Sequence, residues 1–152
     1  MTIALRPQPF EPYAEVVRHE ITTFSCPGQF GACAVFVGTM RDFNADDAVT
    51  SMVLDYYPGM TEQHLAAICE EARARWTLLE TLIMHRVGDI VPGQPIVLVA
   101  VWSAHRAEAF DACRFIMEDL KAKAPFWKKE VTARGARWVE HNTSGTSTPR
   151  VS

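Results

Sequence analysis

The chain has 152 residues, 48% of them hydrophobic and 22% charged, with a formal net charge of −3. That length suits one domain with a substantial core, and the mildly acidic balance excludes a general polyanion-binding surface, so any cationic site must be local. No apolar run reaches the roughly 18 residues that a membrane span needs, and the N-terminus "MTIALRPQPF" meets Arg6, Pro7 and Pro9 too early for a signal peptide.

In chain order, residues 3–5 are expected to form a short strand ended by Pro7 and Pro9. "EPYAEVVRHEI" sets Tyr13, Val16, Val17 and Ile21 near helical spacing, with Pro12 tolerable in a first turn. After the loop "CPGQFG", "ACAVFVGTM" (32–40) predicts a buried strand in which Gly38 marks a bend or bulge. "RDFNADDA" (41–48) is polar and is expected to be a mobile loop. "VTSMVLDYY" then alternates, with Met52, Leu54 and Tyr56 on one face and Ser51, Val53 and Asp55 on the other. Thr61 is the expected N-cap of a helix whose apolar face is Leu65, Ile68, Cys69, Ala72 and Trp76.

"LLETLIMHRVG" (78–88) predicts a strand, "DIVPGQP" a turn, and "IVLVAVW" (96–102) a central strand covered on both faces, because its apolar run is unbroken. Ser103 can cap a second strong helix, residues 104–123, which Pro125 stops. "EVTARGARWVEH" predicts a hairpin centred on Gly135. The last segment, "NTSGTSTPRVS", has nothing to bury and is expected to be disordered. The order β-α-β-β-α-β-β-α-β-β, without repeat or linker, describes one α+β domain over residues 1–142 and a flexible polar tail over 143–152.

Cysteines stand at 26, 33, 69 and 113 with no C-x-x-C pair, which predicts scattered buried thiols of a reducing cytoplasm rather than a zinc or disulfide framework. No metal-ligand set, P-loop, G-x-G-x-x-G or Ser-His-Asp constellation is present.

The chemistry-bearing residues are cations. His105 and Arg106 lie in the first turn of the second strong helix, where the dipole disfavours positive charge. They read either as half of a phosphate or carboxylate site or as a surface arginine and a loop-bonded histidine. Along that helix Arg106, Phe110, Arg114 or Cys113, Met117 and Lys121 make one stripe, with Phe110 and Met117 expected in the core. Lys121, about four turns from Arg106, is then either a snorkelling lysine or a partly desolvated amine of catalytic use, with Lys128 as its cationic neighbour. In "LKAKAPFWKKE" Phe126 and Trp127 can wall such a pocket from water. Arg41, at the mouth of a strand, can grip an oxyanion bidentately or pair with Asp42, Asp46 or Asp47. His85 and Arg86, at another strand end, read as structural.

"GACAVFVGTMRDFN", "YYPGM", "HRVGDIVPG", "WSAHRAEAF", "FIMEDLKAKAPFWKKE" and "RWVE" stand in the order and spacing of one family. The chain resembles the large, catalytic subunit of molybdopterin synthase from about residue 7 to 140. The resemblance implies a hammerhead-like α+β fold with mixed and antiparallel sheets and about three helices. It implies a cytoplasmic sulfurtransferase without a cofactor of its own, which builds the dithiolene of molybdopterin from cyclic pyranopterin monophosphate. The sulfur donor would be a small ubiquitin-like subunit ending in a thiocarboxylated glycine, on a homodimeric core of a heterotetramer. Lys121 and Lys128 are then the expected catalytic residues, and Arg41, His105, Arg106, Met117 and Arg137 the expected substrate-binding ones. A rival keeps the fold as a non-catalytic paralogue binding a phosphorylated pterin or a ubiquitin-like tail. Nucleic acid on the Lys-Phe-Trp-Lys patch is disfavoured by the acidic net charge.

Overall fold

The computed structural model describes residues 1–44 and 47–139. The elements are β1 (Thr2–Arg6), α1 (Pro12–Thr23), β2 (Ala32–Thr39), β3 (Phe43–Asn44), β4 (Asp47–Tyr56), α2 (Met60–Arg75), β5 (Leu78–Arg86), β6 (Gly88–Ile90), β7 (Pro95–Ser103), α3 (Arg106–Lys123), β8 (Phe126–Thr132) and β9 (Gly135–Trp138). One sheet runs β1-β5-β7-β2, parallel only between β1 and β5. The second runs β3-β4-β8-β9, with β6 also paired to β4, and every pairing in it is antiparallel. The α+β class with three helices is as the sequence implies. The tail expected over 143–152 lies outside the described residues.

β7 holds the first sheet together, and its unbroken apolar run has the physical cause expected of it. Val97, Val99 and Val101 face a core shared with α2 and α3, including Leu65, Ile68, Ile116 and Leu120. The alternate residues Leu98, Ala100 and Trp102 face a second core with Phe10, Val16, Leu82 and Met84 on the α1 side. With both faces covered, every position of the strand can be apolar. A third, smaller core of Met40, Val49, Met52, Leu54 and Ile90 supports the second sheet, and Phe126 packs against it.

Five local expectations are corrected. The 41–48 segment is not a loop throughout, because Phe43 and Asn44 pair antiparallel with Ala48 and Asp47. Part of the turn expected after residue 88 is β6, paired with Met52–Leu54. The N-cap of α2 is Gly59, whose φ of 83° suits glycine and whose N–H donates to Glu62 Oε2 at 2.7 Å. Thr61 is instead buried in the first turn; its hydroxyl accepts from Tyr57 N and donates to the Pro125 carbonyl, 3.1 Å each, tying α2 to the start of β8. On α1, Pro12 and Val16 face the sheet while Tyr13, Val17 and Ile21 are exposed. Val16 is buried as expected, and the inward stripe runs through 12, 16 and 20, where Glu20 Oε1 accepts from Trp102 Nε1 at 2.9 Å. Finally, Cys69 and Cys113 are buried as expected, but Cys26 is exposed.

Candidate active site

Where the two sheets meet, the C-terminal end of α3 and the first residues of β8 enclose a cavity of about 530 Å³, a size typical of small-ligand sites. Its construction is local on each side. On α3, Met117, Leu120, Lys121 and Ala124 recur at spacings of three and four and so share one face. Pro125 then breaks the helix, and Ala124 is its C-cap with extended backbone. The chain turns directly into β8, which brings Phe126, Trp127 and Lys128 round to the same space. β2 supplies Phe36, Gly38 and Thr39, and the return strand β9 closes the rim with Trp138 and Val139.

Gly38 has a steric reason. A Cβ there would stand 2.8 Å from Val97 Cγ1 and 3.3 Å from Phe36 Cε1. The β2–β7 register also shifts between Gly38 and Thr39, the bend expected of this glycine.

The two lysines arrive from different elements and line one cavity. Burial, first, and the charge of Lys121, second, push the Lys128 ammonium below the ordinary lysine range, while Glu130 opposes them. Glu130 lies two residues on, on the same face of β8, is buried, and receives Arg137 Nη2 at 3.5 Å across the β8–β9 ladder. Arg137 therefore stands beside the strand that carries Lys128. Met117 is buried and forms part of the wall.

The other expected ligands are elsewhere. His105 is the N-cap of α3 and Arg106 its first residue, both exposed and absent from the cavity wall. At 1.5 Å per residue, Arg106 is about 22 Å along the axis from Lys121. Ser103 is not the cap; its hydroxyl donates to the His105 carbonyl at 2.6 Å. The same loop is held by Gly31, whose N–H donates to Ser103 O at 3.0 Å and whose missing Cβ would lie 2.2 Å from Ala104 O. Phe110, expected in the core, is 66% exposed, because α3 turns its Ala109, Ala112, Cys113 and Ile116 side to the sheet. Arg41 is exposed two residues beyond Thr39 at the cavity wall.

His85 is the lining residue that sequence reasoning undervalued. It is 4% exposed, stacks on Phe126 (4.0 Å between centroids, 14° between planes) and lies 2.8 Å through Nδ1 from Arg86 O. Burial, reinforced by the charge of Lys128 and opposed by the Arg86 bond, pushes its imidazole down to about 4. Its position in "MHRVGDI" carried no periodic signal that distinguished it from Arg86. Arg86 itself is structural as expected: buried, with Nη2 donating to Asp89 O at 2.6 Å and Nη1 to Gln94 Oε1 at 3.3 Å. Trp138 and Val139 could not be anticipated at the site, since only the β8–β9 return places them there.

The arrangement offers paired amines in a walled cavity, suited to anionic ligands and proton movement. No thiol lines it. Burial, first, pushes Cys33 up to about 12 and Cys113 up to about 11, so neither supplies a thiolate near neutral pH. Among the described residues no cluster of His, Cys, Asp and Glu could hold a metal ion, and no helix is long and apolar enough to cross a membrane.

Residues 8–123 match the family model described as MoaE protein. The molybdopterin synthase catalytic subunit of Ralstonia nicotianae is 58% identical over 112 residues, which are 74% of this chain and 64% of that protein, so the chain spans a little under two thirds of that relative. The subunit of the same name from Escherichia coli strain K12 is 46% identical over 142 residues, 93% of this chain and 91% of that one. Among solved structures, the molybdopterin biosynthesis MoaE protein from Burkholderia ambifaria superposes with a TM-score of 0.76 at 44% identity, covering 91% of this chain and 88% of that one.

Proposed function

The chain belongs to the MoaE protein family, and on that premise we propose that it is the catalytic subunit of a cytoplasmic molybdopterin synthase. The reaction is sulfur transfer from the C-terminal thiocarboxylate of a small ubiquitin-like subunit to cyclic pyranopterin monophosphate, one sulfur from each of two successive tails, giving the dithiolene. The observation that carries this reading is the pair of amines, Lys121 and Lys128, on one cavity between α3 and β8.

Both reactants are anionic and both must lose water to react. A cavity with two amines and aromatic walls supplies attraction and dehydration together. Lys121 moves the proton at the reacting carbon, near the carbonyl of the thiocarboxylate. Lys128 orients the substrate. Met117 packs against it. Arg41, beside the mouth, stabilises the carrier's terminal group or the developing oxyanion, and Arg137 fixes Glu130 beneath Lys128. The sulfur arrives on the carrier, which accounts for a cavity without a thiol.

His105 and Arg106 hold the substrate phosphate at the α3 N-terminus, where backbone N–H groups add to their charge. With about 22 Å of helix between Arg106 and Lys121, they serve the cavity of a second copy across the homodimer.

The test is a defined assay with the thiocarboxylated small subunit and cyclic pyranopterin monophosphate, with Lys121→Ala alongside. Dithiolene from the wild type and none from the variant is the expected result. A wild type that binds the carrier tail without making product would instead identify a non-catalytic paralogue.

A further inference from the structure

His85 lines the cavity and has no task in the reading above. Its ring is held on several sides. It lies flat on Phe126, its strand is paired at Val97 on one side and Leu5 on the other, and Nδ1 is 2.8 Å from the Arg86 carbonyl. A carbonyl only accepts, so Nδ1 carries the ring proton. A buried imidazole that titrates near 4 is neutral at pH 7, which leaves Nε2 as a lone pair.

The partner for that lone pair follows from β8. Phe126 and Lys128 are two residues apart and share a face of the strand. A ring stacked on Phe126 therefore stands beside the Lys128 side chain, whose charge helps to keep the imidazole neutral. A carboxylate at this position would neutralise Lys128 and repel both anionic reactants. A neutral acceptor orients an ammonium and leaves the positive charge of the cavity intact.

We propose that His85 is a positioning residue of the sulfur-transfer site: a neutral imidazole fixed in the Nδ1–H tautomer, whose Nε2 accepts a hydrogen bond from Lys128 and aims that amine into the cavity. The assignment rests on the reading of the cavity as the sulfur-transfer site. The Arg86 carbonyl is the second element of the device, and the buried Arg86 side chain anchors the turn that presents it.

Two variants test it. His85→Phe keeps a flat ring on Phe126 and removes both nitrogens, whereas His85→Gln returns a neutral carbonyl acceptor near the place of Nε2. With both substrates saturating, H85F should lower kcat by about 10- to 100-fold through misplacement of the amine, and H85Q should recover most of that loss. Wild-type kcat in H85F would overturn the proposal, as would H85Q no better than H85F at equal Tm.

The pairing is also read without turnover. Ring ¹⁵N shifts should show Nδ1 protonated and Nε2 bare at neutral pH. NMR titration of the lysine side chains should place Lys128 lower in H85F than in wild type, because an acceptor for its charged form is gone while Lys121 and Glu130 are unchanged. A doubly protonated ring, or a Lys128 midpoint unmoved in H85F, would overturn the pairing. A wild type that makes no product would break the sulfur-transfer reading alone, and the NMR arms would still decide whether His85 holds Lys128.

Discussion

The two ends of α3 carry cations in opposite settings. At the C-terminal end Lys121 meets Lys128 in a walled cavity of about 530 Å³, with Met117 and Phe126 in the wall and His85 buried beside them. At the N-terminal end His105 and Arg106 are exposed on the helix dipole's positive pole, with Phe110 also open to solvent one turn on. Like charges are costly in both places, for different reasons: desolvation at one end, the helix dipole at the other. The first cost is offset within the chain by Glu130. The second is eased within the same helix by Glu108, the acid of its first turn.

The strongest test of the contrast is Lys121→Ala. Removal of the proposed proton-transfer group from the enclosed end should reduce dithiolene formation by about 100-fold or more. Retained activity would remove the chemistry from this end of the helix. Next, Arg106→Ala should act mainly on substrate capture, raising KM for the cyclic phosphate by about tenfold with a smaller change in kcat.

The two variants can then be combined in one dimer. If each site draws its lysine from one copy and its phosphate grip from the other, randomly mixed Lys121→Ala and Arg106→Ala chains, assayed with the cyclic phosphate well below its KM, should recover about a quarter of wild-type activity. Mixed dimers no more active than the average of the two parents would place both groups in one chain's site.

Smaller effects sharpen the enclosed end. Gly38→Ala forces Val97 or Phe36 aside and should cost about 1–3 kcal/mol in chemical denaturation. Lys128→Met removes a half-buried cation and should raise stability by about 1 kcal/mol at neutral pH while lowering activity. The sign follows from linkage. A lysine held below its ordinary value in the folded state costs stability in full below its folded pKa. The cost shrinks as pH rises through the window up to the ordinary value of about 10.4 and is gone above it. The stabilising effect of Lys128→Met should therefore fade as pH approaches that value. Cys113→Ser, at a protonated packing thiol away from the cavity wall, should leave turnover unchanged.

Much of the scaffold was legible because its signals are local. The 3.6-residue stripe of Leu65, Ile68, Cys69 and Ala72 specifies α2 without reference to its partners, and all four are buried as that stripe requires. The unbroken run of β7 specifies a strand with two covered faces. Pro125 specifies the break that sets Lys121 and Lys128 on different elements. The lysines, Phe126 and Trp127 could be assigned to one pocket because only that break separates them in sequence.

What the tertiary structure alone decided depends on long-range pairing. β3 and β6, two and three residues long, exist because β4 offers them partners, not because of any period of their own. The outward turn of Phe110 and of the Tyr13–Val17–Ile21 stripe depends on which side of each helix the sheet takes, and several apolar stripes compete for it. His85 enters the site, and Trp138 closes it, only when β5, β8 and β9 converge. Local spacing encodes the face a side chain shares with its near neighbours; the surface that face meets is fixed by contacts far apart in the chain.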